Sequence, residues 1–398
     1  MSATIMRQIA VKARPGPRDA APAAVPDGGG LAAALFVYLL VVTAVVTLAP
    51  FEFARPDRLR VHPSEWTVLD VVANVLLFVP LGFVGAMARP RVLARGAWRA
   101  LALGAAVSIA IEGAQLFAPE RYSSPWDVLT NAAGAWLGAR ALGAVRDRLD
   151  PATLVGRLAL ELPLMGLVYL LVPLGWLSAL TIGAGGTRPL LLLCLGLFGA
   201  SVLGAVQRRH FGPAGIFSPS GMAAAAAGWF LVTAIPALNS APGEVALVAT
   251  LVAAFTWHRA SGPGDVGERR FERRTLIRAA PFLAAYLLLL PLTEAAADHL
   301  TRHVILRIVE TMTAFAVLGY AVAEAMGRRE LPLREAAPRV AVVALPVAIV
   351  IAVLRAVGMP AAAEIPRLAA AVAASLYGAW LYDAQRRNVR GLLRGEGE

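Results

Sequence analysis

Long apolar runs separated by short polar segments set the pattern of this chain. Residues 31–51, 162–187 and 340–354 contain no charged side chain. At about 1.5 Å of rise per residue, runs of about 20 residues are long enough to cross the hydrocarbon core of a bilayer as helices. The alternating ten-residue pattern of a transmembrane barrel does not occur. The pattern therefore predicts an all-α, polytopic integral membrane protein with about twelve transmembrane helices, at residues 31–50, 67–88, 99–118, 125–143, 158–181, 189–207, 219–238, 242–258, 279–297, 303–325, 338–357 and 363–383.

Composition and charge support this class. Hydrophobic residues make up 58% of the 398 residues and charged residues only 16%. The formal net charge is +11, but 28 of the 37 basic residues fall in alternate segments between the predicted spans. This asymmetry follows the positive-inside rule, so both termini are predicted to be cytoplasmic. The basic charge then indicates orientation and contact with membrane lipids that are anionic, and it does not indicate a nucleic-acid partner.

The chain ends and the cysteine content add little chemistry. Residues 1–30 are rich in Pro, Ala and Gly and predict a disordered cytoplasmic tail. The apolar run that follows is too long for a typical cleaved signal peptide, so we interpret it as a retained membrane anchor. Cys194 is the single cysteine and cannot form an intrachain disulfide.

Three consecutive predicted helices carry polar side chains at helical spacing, whereas most other spans are nearly free of them. A carboxylate within a membrane helix costs a few kcal/mol, so three of them in neighbouring spans indicate a function. Residues three or four apart share one helix face, and the helical rise places these groups in two layers, roughly 3 to 5 Å and 8 to 10 Å below the outer helix ends. We expect them to converge in one outward-facing polar pocket, formed by Asp70, Asn74, Glu112, Gln115, Asp127 and Asn131.

Two further features extend this candidate site. Arg121 lies in the short outer turn between the third and fourth spans, where it could hold a phosphate or carboxylate. Small residues on the fourth span, including Gly134 and Gly138, permit close approach of a neighbouring helix. The alternative for the amides of Asn74, Gln115 and Asn131 is that they are interhelical hydrogen-bond donors with a structural role.

The polar residues and their spacing resemble those of the VanZ-like membrane proteins over residues 31–145. The resemblance is carried by Asp70-x3-Asn74-x3-Phe78-x-Pro80-Leu81-Gly82, by Glu112-x2-Gln115, by Arg121, and by Ser124-Pro125-x-Asp127-x3-Asn131-x2-Gly134-x3-Gly138. It implies a multi-pass protein of the bacterial cytoplasmic (inner) membrane that acts in the cell envelope. It also implies a link to glycopeptide (teicoplanin) resistance, but it does not supply a reaction.

The domain organisation predicted from these features has a VanZ-like four-helix unit at residues 31–148, between the tail at 1–30 and a second group of helices at 149–278. Helices nine to twelve follow at 279–385, and a cytoplasmic tail covers 386–398.

Helices nine to twelve are a candidate degenerate repeat of the first four. Residues 315–320 echo 78–83 at an offset of 237, and Gly-Ala-Trp-Leu at 378–381 echoes the same letters at 134–137, at an offset of 244. In this alignment Asp70 falls on Arg307 and Asn74 falls on Thr311. Coincidence in Ala/Leu-rich sequence is the open alternative.

Three function classes remain. The favoured hypothesis is a protein that binds or processes an envelope precursor, either a lipid-linked precursor or a glycan, because outward carboxylates and arginines suit sugar hydroxyls and phosphates. The second is an intramembrane enzyme in which Glu112 or Asp127 is a general base or a ligand of a divalent cation; no metal site or cofactor is assigned. The third is a lipid or solute transporter, for which Arg307 and Glu310 are the candidate deep ion pair. His299 and His303 are expected to be surface residues at an outer helix boundary.

Overall fold

The structure is a computed structural model that describes residues 29–48, 53–55, 67–88, 97–118, 123–148, 162–180, 188–211, 218–238, 240–262, 271–295, 304–326, 333–356 and 364–393. These ranges form twelve α-helices and one short 3₁₀ helix and contain no β-strand. The predicted all-α class is confirmed. The helices are α1 (Gly29–Leu48), α2 (Val68–Ala88), α3 (Trp98–Gln115), α4 (Pro125–Arg148), α5 (Leu162–Ala179), α6 (Arg188–His210), α7 (Pro219–Thr233), α8 (Pro242–Ser261), α9 (Phe271–Ala295), α10 (Val304–Ala325), α11 (Leu333–Ala356) and α12 (Glu364–Leu393).

Four helices in the described part of the chain are long and apolar enough to cross a membrane. They include Arg188–His210, whose most apolar 18-residue stretch is 78% buried in the protein, and Leu333–Arg355, whose corresponding stretch is only 22% buried although its mean hydropathy is higher, at 2.4 against 2.2. An apolar helix surface of this kind suits lipid rather than water. The protein is thus a helical membrane protein, and the count of twelve spans and the orientation of the termini stay predictions.

The largest apolar core lies among the helices from α5 to α12. Phe198, Phe230 and Tyr286 are among its fully buried side chains, and Trp176 is fully buried in a second, smaller cluster. The Trp176 indole N–H donates to the Val232 carbonyl oxygen at 2.9 Å, so its polar atom is satisfied within the core. A smaller cluster joins α1 to α2 and α5.

Helices α2 and α4 pack through glycines. A Cβ added at Gly82 would lie 2.6 Å from the Cα of Ala135, and one added at Gly138 would lie 2.7 Å from the backbone nitrogen of Phe83. Both distances are shorter than a side-chain carbon tolerates. Absence of a side chain at these positions therefore permits the backbones to approach, as small residues do in membrane helix pairs.

Helices α10 and α12 pack in the same way. A Cβ added at Gly319 would lie 2.7 Å from the Cα of Ser375, and one added at Gly378 would lie 2.9 Å from the backbone nitrogen of Tyr320. Gly319 and Tyr320 follow Gly82 and Phe83 by 237 residues, whereas Gly378 and Ser375 follow Gly138 and Ala135 by 240.

This register differs from the alignment drawn from sequence. The sequence matched Gly378 to Gly134 at an offset of 244, but Gly378 makes the contacts that Gly138 makes, one helical turn further along. Gly134 also touches the partner helix, at Val75, so the register follows from which residues are met. Gly138 meets Val79 and Phe83, and Gly378 meets Ala316 and Tyr320, each 237 residues further along.

A buried ion pair links α6 to α10. The Arg188 guanidinium lies 3.1 Å from the Glu310 carboxylate, with both side chains almost fully buried. Ser178 donates to the same carboxylate at 2.8 Å and Tyr286 at 3.1 Å. The sequence pointed to Arg307 as the partner of Glu310 because it lies three residues away; the structure supplies Arg188, from the start of another helix.

Candidate functional site

Glu112 joins α3 to the beginning of α4. Its carboxylate accepts a hydrogen bond from the backbone N–H of Ser124 at 2.8 Å, and the Ser123 side chain also bonds to it. Ser124 directly precedes Pro125, the first residue of α4, so Glu112 occupies the place of a capping side chain. Only 6% of Glu112 is exposed, and the positive end of the α4 dipole stabilises its charge.

Gln115 joins the end of α3 to the end of α1. Its side-chain amide donates to the Thr47 carbonyl oxygen at 2.9 Å, one residue before α1 ends. The Thr47 hydroxyl bonds in turn to the Thr43 carbonyl oxygen at 2.8 Å. Because helix ends leave carbonyl groups without helical partners, this amide satisfies one of them.

Asp70 begins α2. The Thr67 backbone N–H donates to its carboxylate at 3.0 Å, and the Asp70 backbone N–H donates to the Thr67 hydroxyl at 3.1 Å. This reciprocal pair is a capping box with aspartate in the usual place of glutamate. Asp70 is exposed, so it lies at the rim of the predicted cluster.

Asp127 and Asn74 form the centre of the predicted cluster. Their side chains are hydrogen-bonded to each other across α4 and α2, and Asp127 lies close enough to Asp70 and Glu112 for electrostatic repulsion. The three carboxylates predicted from sequence thus lie at one end of α2, α3 and α4. Their like charges are balanced in part by helix N-termini and by the amide of Asn74.

Asn131 lies one turn deeper, where it is 4% exposed. Its amide nitrogen donates to the Ser108 hydroxyl of α3 at 2.9 Å. Its side-chain oxygen is buried and has no hydrogen-bond partner among the described residues. A buried amide oxygen in this condition is costly, which makes it a candidate acceptor for a ligand or a water.

An open cavity of about 330 Å³ lies beside this cluster. Phe53, Ala54 and Arg55 line it from the segment after α1, and Ala114 and Phe117 line it from the end of α3. The Ala54 backbone N–H donates to the Phe117 carbonyl oxygen at 2.8 Å, which holds the two walls together. Ala114 lies between Glu112 and Gln115, so the cavity adjoins the polar end of α3.

Phe53 and Phe117 were not predicted from sequence to be site residues. The available signal was the pair of aromatic residues near the predicted outer ends of the first and third spans, where aromatic rings are common. Arg121, His299 and His303 lie outside the described residues.

The chemistry of the site is that of hydrogen-bond acceptors beside an aromatic and cationic cavity. In the described part of the chain, no group of three His, Cys, Asp or Glu side chains could hold a metal ion. Glu112, Gln115 and Asp70 each have a helix-capping or helix-tethering partner, whereas Asp127 and Asn131 retain acceptor atoms within the cluster.

The fold and the site define a polytopic helical membrane protein whose polar cluster lies at one end of α2, α3 and α4. A family model described as VanZ/LLP1 matches residues 33–145, the stretch that carries this cluster, and confirms the VanZ-like resemblance of that stretch. The match agrees with the assignment of this stretch to a membrane protein. No curated protein and no solved structure matches the chain.

Proposed function

We propose that the VanZ-like region binds or processes a lipid-linked precursor of the bacterial cell envelope at the outer face of the cytoplasmic membrane. The observation that carries this proposal is the cavity lined by Phe53, Arg55 and Phe117, which Ala114 of α3 also lines. A lipid-linked precursor has an apolar chain, a phosphate and a sugar. The site offers a matching group for each of them.

The aromatic residues suit the apolar chain. Phe53 and Phe117 are each 51% exposed, so about half of the surface of each residue can contact a ligand outside the core. Exposed aromatic rings of this kind provide large contact areas for apolar ligands at membrane interfaces.

The arginine and the carboxylates suit the head group. Arg55 is exposed at the same cavity and can bond a phosphate through two parallel N–H donors. The Asp127 carboxylate is an acceptor for sugar hydroxyls, and amide or carboxylate acceptors are the usual protein partners of such groups. A link to teicoplanin resistance would follow if the bound precursor is the one that the glycopeptide recognises.

Ligand-dependent thermal stability tests this proposal. The full-length protein in detergent is heated with a polyprenyl phosphate, with a lipid-linked wall precursor, and with a polyprenol that has no phosphate. We expect the first two ligands to raise the melting temperature of the wild type, and the polyprenol to have a smaller effect.

The variants are Arg55→Gln and Phe117→Ala, with Trp257→Ala as the control. Trp257 is 52% exposed on α8, so its removal matches the loss of an exposed aromatic ring elsewhere. Loss of the ligand response in the first two variants and its retention in the control supports the proposal. An equal response in all four proteins would place the ligand elsewhere and overturn it.

A further inference from the structure

Two exposed tryptophans on the neighbouring helices α3 and α4 each have an arginine over the ring. The Arg99 Cζ atom lies 5.5 Å from the centre of the Trp98 ring, and the Arg140 Cζ atom lies 5.9 Å from the centre of the Trp136 ring. Trp98 is 62% exposed and Trp136 is 37% exposed. Cation–π contacts at exposed positions add little stability, so the stability of the fold does not account for the two pairs.

The packing of α3 against α4 places the two pairs at one level of the protein. The helices run antiparallel, because Asn131 donates to Ser108 and a Cβ added at Gly104 would lie 2.6 Å from the side-chain carbon of Ala135. Five residues beyond this second contact, each helix carries its stacked arginine. The two arginine–tryptophan pairs therefore form one surface across both helices.

The sequence around this end of the helix pair is basic. Residues 89–99 contain four arginines and no acidic residue, and residues 140–148 contain three arginines and one aspartate. Glu112 and Asp127 lie at the opposite end of α3 and α4. The basic end is the one predicted to face the cytoplasm, and the cytoplasmic leaflet is the one that carries anionic lipids. An anionic lipid headgroup thus complements the charge of this surface.

An apolar surface continues from the two pairs along both helices. Leu101 on α3 and Leu137 on α4 lie within one turn of the tryptophans and are 44% and 43% exposed. Ile109 on α3 and Leu129 on α4 follow, each 60% exposed. Cationic and aromatic groups at one level, with exposed aliphatic side chains beyond them, match the headgroup and the acyl chains of a phospholipid.

We propose that Trp98, Arg99, Trp136 and Arg140 form a binding site for a phospholipid with an anionic headgroup, here called the α3–α4 lipid site. Arg140 is exposed, so a headgroup can contact its guanidinium without any movement of the packed helices. Arg99 is half-buried and makes a further interaction within the protein, so Arg140 is the main cationic contact. The indole N–H groups are additional donors for headgroup oxygens.

The α3–α4 lipid site does not rest on the proposed function. It lies at the other end of the helix pair from the acidic cluster, and it takes a lipid of the surrounding bilayer rather than an envelope precursor. Loss of either site leaves the residues of the other unchanged.

Quenching of tryptophan fluorescence by brominated lipids tests the proposal on the full-length protein. The protein is reconstituted in phosphatidylcholine nanodiscs that contain a fraction of brominated phosphatidylcholine or of brominated phosphatidylglycerol with the same acyl chains. Bromine quenches a tryptophan that it contacts. Because the chain has eight tryptophans, the local signal is the quenching that disappears in the double variant Trp98→Phe with Trp136→Phe.

The local signal in the wild type should show a preference of about fivefold or more for phosphatidylglycerol over phosphatidylcholine, since one arginine near an anionic headgroup contributes about that factor. Arg140→Gln should lower this preference about fivefold, whereas Arg140→Lys keeps the charge and should retain most of it. The control is Arg339→Gln, an exposed arginine of α11, which should leave the preference unchanged.

Two results would overturn the α3–α4 lipid site. One is equal local quenching of the wild type by the two brominated lipids, which would make the surface an ordinary lipid boundary. The other is an equal preference in the wild type and Arg140→Gln. Arg140→Glu is an independent variant: reversal of the charge should shift the preference toward phosphatidylcholine, and an unchanged preference would also contradict the site.

Discussion

The Glu112 carboxylate on α3 accepts the backbone N–H of Ser124 at 2.8 Å, so a buried acidic side chain caps the helix that begins one residue later. Twelve residues separate the two along the chain. This bond connects the C-terminal end of α3 to the N-terminal end of α4, and thereby positions Asp127 and Asn131 at the cluster.

Substitution of Glu112 should therefore reduce stability as well as function. Glu112→Ala leaves the Ser124 N–H without its acceptor, and we expect a loss of about 1 to 3 kcal/mol in the free energy of unfolding. Glu112→Gln keeps an acceptor oxygen and loses the charge at the helix N-terminus, so about 1 kcal/mol is expected. Thermal unfolding in detergent measures the loss of stability in each of the two variants.

The control for this prediction is Glu244→Gln, an exposed first-turn carboxylate of α8. It should change the melting temperature little. If Glu112→Gln and Glu112→Ala were as stable as Glu244→Gln, the capping role would be wrong.

Substitution of Asp127 should weaken ligand binding with little change in the stability of the protein. Asp127→Asn retains a partner for Asn74 and removes the repulsion with Asp70, while it loses a favourable charge in the first turn of α4. These effects oppose each other, so we expect stability to change by less than about 1 kcal/mol. Binding of a lipid-linked precursor should weaken, because an acceptor oxygen for the head group is lost.

Paired melting and binding curves check the Asp127 prediction, with Glu335→Gln in the first turn of α11 as the matched variant. Unchanged binding in Asp127→Asn would assign Asp127 a structural role only.

Most helices were predictable from sequence because the apolar runs are long and many end at a charge or a proline. The exceptions are α9, which begins at Phe271 and not at 279, and α12, which ends at Leu393 and not at 383. The predicted span at 67–88 and the observed α2 at Val68–Ala88 differ by one residue, and α10 is equally close. Caps were predictable too: Thr67 precedes Asp70 by three residues, and Ser124 precedes Pro125. These signals are local, and local signals require no knowledge of packing.

Contacts between distant helices were not predictable in this way. Arg188 and Glu310 are separated by 122 residues, and Gln115 and Thr47 by 68. Their pairing depends on how helices of similar composition pack, which no periodicity specifies. Arg307 was predicted to be the ion-pair partner of Glu310 because proximity along one helix was the only available criterion.

Glycine substitutions test the packing of α2 against α4. Gly138→Ala places a Cβ 2.7 Å from the Phe83 backbone nitrogen, so we expect a loss of about 1 to 3 kcal/mol from overpacking. Gly143→Ala, on the same helix, has nothing within 4 Å of the added Cβ and should be neutral or stabilising by about 0.5 to 1 kcal/mol.

Gly378→Ala extends the glycine test to α12. Since Gly378 contacts α10 as Gly138 contacts α2, its substitution should destabilise the protein to a similar degree. Unfolding measured in parallel for the three variants checks both pairs. Equal stability of Gly138→Ala and Gly143→Ala would contradict the close helix approach.

Substitutions in the buried Arg188–Glu310 pair are expected to reduce the free energy of unfolding more than the other substitutions do. Glu310→Gln removes the charge that compensates Arg188, whose side chain is 3% exposed, and we expect a loss of about 3 to 5 kcal/mol. Arg188→Met should be similarly costly because Glu310 is then left charged and buried. The double variant Arg188→Met with Glu310→Gln contains neither charge, so its loss should be clearly smaller than the sum of the two single losses.

Ser178 and Tyr286 keep an amide oxygen as acceptor in that protein, which makes the double variant a fair test of the charges alone. Additive losses in a double-mutant cycle of thermal unfolding would mean that the two charges do not stabilise each other, and that α6 and α10 are held by their apolar contacts.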